Sequence, residues 1–165
     1  MLQKKVCMLG SFSVGKTSLV RRFVESIFSE QYHTTIGVKV DKKVVKTGGK
    51  DVTLVLWDIH GEDVFQKMQM NYLRGMSGYL LVVDGTRKQT LEDALGLSER
   101  VAGIMGNIPA ILVLNKADLS EQWEIDPAHE KHLAESGWKI FRTSAKTGAA
   151  VEDAFSQLTE AMIAK

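Results

Sequence analysis

Gly10-Ser11-Phe12-Ser13-Val14-Gly15-Lys16-Thr17 follows directly on the apolar run Val6-Cys7-Met8-Leu9 and leads into Ser18-Leu19-Val20-Arg21-Arg22-Phe23-Val24. The run reads as a buried strand and the trailing segment as the start of an amphipathic helix. Between them, the pattern G-x-x-x-x-G-K-[ST] turns a strand into a helix. That turn aims successive backbone N–H groups and the positive helix end at one point. The ligand that fits is a polyphosphate, with Lys16 reaching the β- and γ-phosphate oxygens and the Thr17 hydroxyl ligating Mg²⁺. The bare pattern can occur by chance, but here it has the strand–loop–helix setting it requires.

Outward from this loop, apolar segments alternate with amphipathic ones. Strands are expected near Lys4–Leu9, Val38–Thr47, Asp51–Asp58, Gly78–Asp84, Ala110–Asn115 and Lys139–Arg142. Thr47-Gly48-Gly49-Lys50 separates the second from the third as a Gly-Gly hairpin turn, so that pair should be antiparallel. Helices are expected near Lys16–Glu25, Phe65–Arg74, Gln89–Met105, Pro127–Ser136 and Ala150–Ala164. Pro127 suits a first turn behind an Asp126 N-cap, and Gly137 suits the end of that helix. The expectation is one doubly wound α/β domain over residues 1–165, a six-stranded, mostly parallel sheet with one antiparallel strand and helices on both faces. In such sheets a ligand sits beyond the carboxyl ends of the strands.

Composition sets the outer limits. A chain of 165 residues can bury a sizeable core without disulfides. Its 21 basic and 20 acidic residues leave a formal net charge of +1, which carries no global footprint for nucleic acid or an anionic membrane. Cys7 is the sole cysteine and lies in the first expected strand, which excludes an internal disulfide and a cysteine cluster for zinc. A reducing, cytoplasmic setting is expected, with no signal peptide and no run of membrane-spanning length.

Three further motifs close or follow expected strands. In Trp57-Asp58-Ile59-His60-Gly61 an acidic residue ends an apolar strand; its carboxylate can hold Mg²⁺, mostly through water, while the Gly61 N–H can meet a γ-phosphate. In Asn115-Lys116-Ala117-Asp118 the Asp118 carboxylate can accept from both the N1–H and the exocyclic amine of guanine, a donor pair that adenine lacks. In Thr143-Ser144-Ala145-Lys146 the Ala145 N–H can donate to guanine O6. Each tetrapeptide is weak alone, but their order on successive strand ends points to a guanine-nucleotide site.

With these residues in hand, the chain resembles a small GTPase of the Ras superfamily, nearest its Rab-like branch. The resemblance is carried by the phosphate loop, Tyr32-His33-Thr34-Thr35-Ile36-Gly37-Val38, Trp57-Asp58 with Gly61, Tyr72-Leu73-Arg74-Gly75, Asn115-Lys116-Ala117-Asp118 and Ser144-Ala145-Lys146. It implies GTP/GDP and Mg²⁺ as cofactors. Nucleotide contacts would come from Ser13, Val14, Gly15, Lys16, Thr17, Ser18, Phe28, Tyr32, Thr35, Asp58, Gly61, Asn115, Lys116, Asp118, Ser144, Ala145 and Lys146. It implies Thr17, Thr35 and Asp58 around the metal, and Lys16, Thr35, Gly61 and Glu62 in hydrolysis. By the same resemblance Phe28 stacks on the guanine and Tyr32 covers the phosphates. The segments around Thr35 and after Asp58 form two switches, through which effector and exchange-factor proteins read a monomeric chain. On the residues alone, Phe28 reads as a core aromatic and Thr35 as a loop hydroxyl.

Departures from the family pattern touch hydrolysis more than binding. Glu62 stands where a water-positioning Gln is common, His60 where Ala or Gly is usual, and Phe12 where the loop is mostly small. Phe12 should obstruct an arginine supplied by an activating protein. Slow hydrolysis is expected, the alternative being a nucleotide-holding module with negligible turnover. A small-molecule phosphotransferase fits worse, because Asn115-Lys116-Ala117-Asp118 has no role in it. The end Ala161-Met162-Ile163-Ala164-Lys165 carries no prenylatable cysteine, so membrane contact is expected only through a partner or a tail absent from this chain. His129 and His132 read as surface residues, Lys42-Lys43 with Lys46 and Lys50 as a solvated hairpin, and Met68 and Met70 either as an adaptable contact surface or as core packing.

Overall fold

A computed structural model describes residues 2–25, 38–59 and 71–164. In chain order these form β1 (Leu2–Leu9), α1 (Lys16–Glu25), β2 (Val38–Thr47), β3 (Lys50–Ile59), β4 (Gly78–Asp84), α2 (Lys88–Met105), β5 (Ala110–Asn115), α3 (Pro127–Glu135), β6 (Ile140–Arg142) and α4 (Val151–Ile163). Short 3₁₀ turns occupy Asn71–Leu73 and Ser120–Gln122. The sheet has the order β2-β3-β1-β4-β5-β6, in which only the β2–β3 pair is antiparallel. Gly48 (φ 57°) and Gly49 (φ 77°) make the hairpin between them, and Thr47 faces Lys50 across it. Two successive positive φ values favour glycine at both places.

Side-chain alternation along the strands separates two cores. Val6 and Met8 of β1, Leu54 and Leu56 of β3 and Leu80 and Val82 of β4 face α1 and α4, where Leu19, Phe23, Phe155 and Leu158 meet them. Cys7, Leu9, Leu81, Val83 and Leu114 point the opposite way, onto Leu91, Ala94, Leu97 and Val101 of α2 and Leu133 of α3. Helices thus cover both faces of a largely parallel sheet, as the alternation of segments requires. The carboxyl ends of β1, β3, β4, β5 and β6 all reach one edge, and β1 stands between β3 and β4 at the point where the chain reverses its direction of winding.

Several boundaries differ from expectation. Ala150 adopts a left-handed conformation (φ 57°), so the last helix begins at Val151, one residue later than its composition implies. The helix expected over Phe65–Arg74 falls mostly outside the described residues. Of that span, the described residues Asn71–Leu73 form a 3₁₀ turn rather than an α-helix, followed by Gly75 at φ 79°. Asp126 caps α3 as expected, its Oδ1 accepting from Ala128 N–H at 2.8 Å with Pro127 in the first turn. Lys43 is only partly solvated, since its ammonium lies 5.3 Å from the centre of the Phe23 ring. Among the described residues no helix is long and apolar enough to cross a membrane.

Candidate functional site

The edge where the parallel strands end gathers the loop after β1, Asp58 near the end of β3, Asp84 at the end of β4, the loop after β5 and the loop after β6. Gly10 and Gly15 shape the first of these. A Cβ on Gly10 would sit 2.3 Å from the Val82 carbonyl oxygen, and one on Gly15 would sit 2.3 Å from Nδ2 of Asn115. Their φ values of 150° and 103° disfavour side chains as well. The loop therefore packs directly against β4 and against the first residue of the motif after β5.

Lys16 opens α1 and is buried, its Nζ donating to the carbonyls of Gly10 at 2.7 Å and Ser11 at 3.1 Å. Burial pulls its ammonium from the ordinary lysine range down to about 8, against the Asp58 carboxylate, which favours the charged form. An anion brought into the loop would restore the charge that burial disfavours. Thr17 Oγ1 donates to Asp58 Oδ2 at 2.5 Å, and Asp58 is 1% exposed. A hydroxyl and a carboxylate held together are hard oxygen donors, the set that Mg²⁺ takes alongside its retained waters and a polyphosphate. Ser18 follows in the first turn of α1, partly buried.

The loops after β5 and β6 are tied to the first loop and to each other. Asn115 Nδ2 donates to the Val14 carbonyl at 3.0 Å, and Thr143 Oγ1 donates to Asn115 Oδ1 at 3.0 Å. Lys116, at φ 69°, donates from Nζ to the Ser13 carbonyl at 3.1 Å and pairs with Asp84 at 2.9 Å. Ser144 Oγ donates to Asp118 Oδ1 at 2.7 Å and accepts from Thr147 N–H at 3.1 Å, so the Asp118 carboxylate is oriented by the second loop. Ala145 is buried beside it, and Lys146 is exposed. The expected residues Ser13, Val14, Gly15, Lys16, Thr17, Asp58, Asn115, Lys116, Asp118, Ser144 and Ala145 thus come to one strand edge. Phe28, Tyr32, Thr35, Gly61 and Glu62, together with His60, Met68 and Met70, lie outside the described residues.

Three residues outside the motifs, Arg22, Asp84 and Arg87, belong to this framework together with Thr143, which heads the last motif but was given no role. Arg22 on α1 donates to the carbonyl of Ala145 at 2.7 Å and to that of Lys146, tying the helix behind the first loop to the loop after β6. Thr143 holds the Asn115 carboxamide. Asp84, 1% exposed, accepts from Thr86, Arg87 and Lys116. Burial alone would raise its carboxyl, but hydrogen bonds from Thr86, Arg87 and Lys116 hold it below the ordinary aspartate value. Asp84 was open to the argument used for Asp58, since it too is an acid closing a wholly apolar strand. Arg22 leaves no local signal, because it acts on a carbonyl 123 residues away, and Arg87 shows locally only its pairing with Asp84 three positions earlier, not its reach to Phe12. His129 and His132 are exposed, and among the described residues no cluster of three or more histidine, cysteine or acidic side chains could hold a metal.

Comparison with known proteins matches residues 5–164 to the model of the Ras family. Over 163 residues the chain is 36% identical to the Ras-related protein Rab-4 of Dictyostelium discoideum, covering 98% of this chain and 80% of that protein. It is 35% identical to human Ras-related protein Rab-4B, over 98% of this chain and 76% of the relative. Human Ras-related protein Rab-4A is 34% identical over 169 aligned residues, with 98% and 75% covered.

Proposed function

The chain belongs to the Ras family as a Rab-like, GTP-binding small GTPase, and on that premise we propose a guanine-nucleotide-dependent switch that binds GTP and GDP with Mg²⁺ and hydrolyses GTP slowly. The observation that carries this reading is the bridging carboxamide of Asn115, which joins the phosphate-type loop at Val14 to the loop after β6 at Thr143. A phosphate cradle and a guanine-type edge thereby become one rigid site, and Asp118, oriented by Ser144, is the group that separates guanine from adenine. Thr17 and Asp58 would hold Mg²⁺, which when bound neutralises phosphate charge. Lys16 orients the polyphosphate from the mouth of α1.

In this reading Thr35 and Gly61 close over a γ-phosphate and are released on its loss, with Phe28 on the base, Tyr32 over the phosphates and Glu62 beside the attacking water. Effectors and exchange factors engage the same two segments. Hydrogen exchange over residues 31–38 and 58–71 slows with a non-hydrolysable GTP analogue relative to GDP, because only differential binding can shift such an equilibrium. Equal protection in both states removes the switch.

The base assignment is tested by competition against labelled GDP on the purified protein in Mg²⁺. Unlabelled GTP displaces the label, and ATP at moderate excess leaves it in place, since buried hydrogen-bonding sites discriminate by roughly 10⁴–10⁵. Asp118→Ala reduces that ratio while the fold survives. Displacement by ATP comparable to that by GTP overturns the reading.

A further inference from the structure

Asp84, Arg87 and Lys116 form a charge cluster on the outer side of the loop that follows β1. Asp84 Oδ1 accepts from Thr86 N–H at 2.9 Å and from its hydroxyl at 2.6 Å, while Oδ2 accepts from Arg87 Nε at 2.9 Å and pairs with Lys116 Nζ at 2.9 Å. One carboxylate thus holds two cations, and the cluster carries a net positive charge. Both cations then reach onward. Arg87 Nη2 donates to the carbonyls of Phe12 at 3.0 Å and Ser13 at 2.9 Å, and Lys116 Nζ donates to Ser13 at 3.1 Å. The backbone at Arg87 is fixed in turn by Thr90, whose N–H and hydroxyl donate to the Arg87 carbonyl at 3.0 and 2.7 Å.

A carbonyl and the N–H of the next residue belong to one conjugated peptide unit, so charge drawn onto the oxygen makes the N–H a better donor. Linked hydrogen bonds polarise one another by roughly 10–30% each. The Phe12 carbonyl shares its unit with the Ser13 N–H, and the Ser13 carbonyl with that of Val14. We propose that Arg87 is a positioning residue for the bound nucleotide: from outside the loop it fixes and polarises the Phe12–Ser13 and Ser13–Val14 peptides, so that their N–H groups meet phosphate already oriented. Arg87 does not touch the ligand. The proposal rests on the guanine-nucleotide reading above.

A surface ion pair alone would contribute little, because exposed pairs rarely matter much. Arg87 is 45% exposed, yet its fork spans a buried carboxylate and two consecutive carbonyls, a geometry that lysine cannot reproduce. Its loss leaves Asp84 paired with Lys116 and Thr86, so the variant keeps its fold.

The test measures dissociation of fluorescent GDP in Mg²⁺, and the ³¹P resonances of bound GDP, for the unsubstituted protein, Arg87→Ala, Arg87→Gln and Arg87→Lys. Weakening two phosphate-facing, charge-assisted N–H bonds by roughly 10–30% each, with looser orientation of both peptides, speeds dissociation by about three- to tenfold in Arg87→Ala. Arg87→Gln behaves alike, and Arg87→Lys falls between. The β-phosphate resonance moves while the α-phosphate resonance holds, a signature that general loosening of the fold does not produce. Should Arg87→Ala prove insoluble, the Gln and Lys variants carry the same comparison. Dissociation within twofold of the unsubstituted protein with an unmoved β-phosphate resonance overturns the role of Arg87 and leaves the nucleotide reading intact. An unsubstituted protein that retains no labelled GDP overturns both.

Discussion

The Asn115 carboxamide donates from Nδ2 to the carbonyl of Val14 at 3.0 Å, joining the end of β5 to a loop 101 residues earlier in the chain. Its Oδ1 accepts from Thr143 Oγ1, and both Val14 and Thr143 are fully buried. Removing the carboxamide takes a partner from two groups that water does not reach. Each such loss costs about 1–3 kcal/mol. Asn115→Ala therefore lowers the urea midpoint of the nucleotide-free protein at unchanged m-value. A variant as stable as the parent would show that water takes over both bonds.

Phe23 and Phe155 stack with ring centroids 3.9 Å apart and planes 2° from parallel, which locks α1 against α4. Helix α1 carries Lys16 and Thr17 at its start and, next to Phe23, Arg22, which holds the Ala145 carbonyl. Packing in this core thus sets the spacing between two loops of the candidate site. Phe155→Ala costs about 3–5 kcal/mol and Phe155→Leu under about 1.5 kcal/mol, both read from denaturant unfolding. Similar losses for the two variants would mean that ring stacking, rather than filled volume, dominates.

Cys7 is fully buried in β1, and burial pushes its thiol from 9.0 up to about 12, with nearby Lys5 pulling the other way. The folded-state value is raised for an acid, so above pH 9 the unfolded chain releases a proton that the native chain retains. Stability from this group is complete below pH 9 and declines as pH rises toward about 12. Cys7→Ala flattens that part of the stability profile. In the parent, a thiol reagent at pH 8 reacts at the rate of unfolding, independent of reagent concentration; rapid second-order labelling would show that the thiol is accessible in the native state.

Much of this site was readable because its parts are local in sequence. Val6–Leu9 shows its burial in four apolar residues, Gly48-Gly49 shows its turn, and each motif carries its chemistry within four to eight positions. Ala150 misleads because alanine favours helix, whereas the Ser144 N–H bond to the Ala149 carbonyl belongs to a turn that puts Ala150 in the left-handed region. Arg22, and the reach of Arg87 beyond its neighbour Asp84, were invisible for a different reason. A guanidinium that serves distant backbone carbonyls has no sequence partner to mark it, since every residue offers a carbonyl.

Phe12 stands 43% exposed on the loop after β1, its carbonyl held at 3.0 Å by Arg87. Its side chain adds little to the core, so Phe12→Gly costs about 0.5–1 kcal/mol, mainly in backbone entropy. By its resemblance to related GTPases, a ring at this position is expected to obstruct an arginine supplied in trans, which contributes about 10³–10⁵ in rate in those proteins. The expected outcome is slow GTP turnover by the parent that a Rab-type activating protein scarcely accelerates, and a gain of sensitivity in Phe12→Gly. Glu62→Gln adds water positioning only where Phe12 leaves that side chain room, so its benefit emerges in the double variant. Single-turnover hydrolysis by the parent, each single variant and the double variant, with and without the activating protein, separates the two effects. Strong stimulation of the parent would show that Phe12 leaves the approach open, whatever Glu62 does.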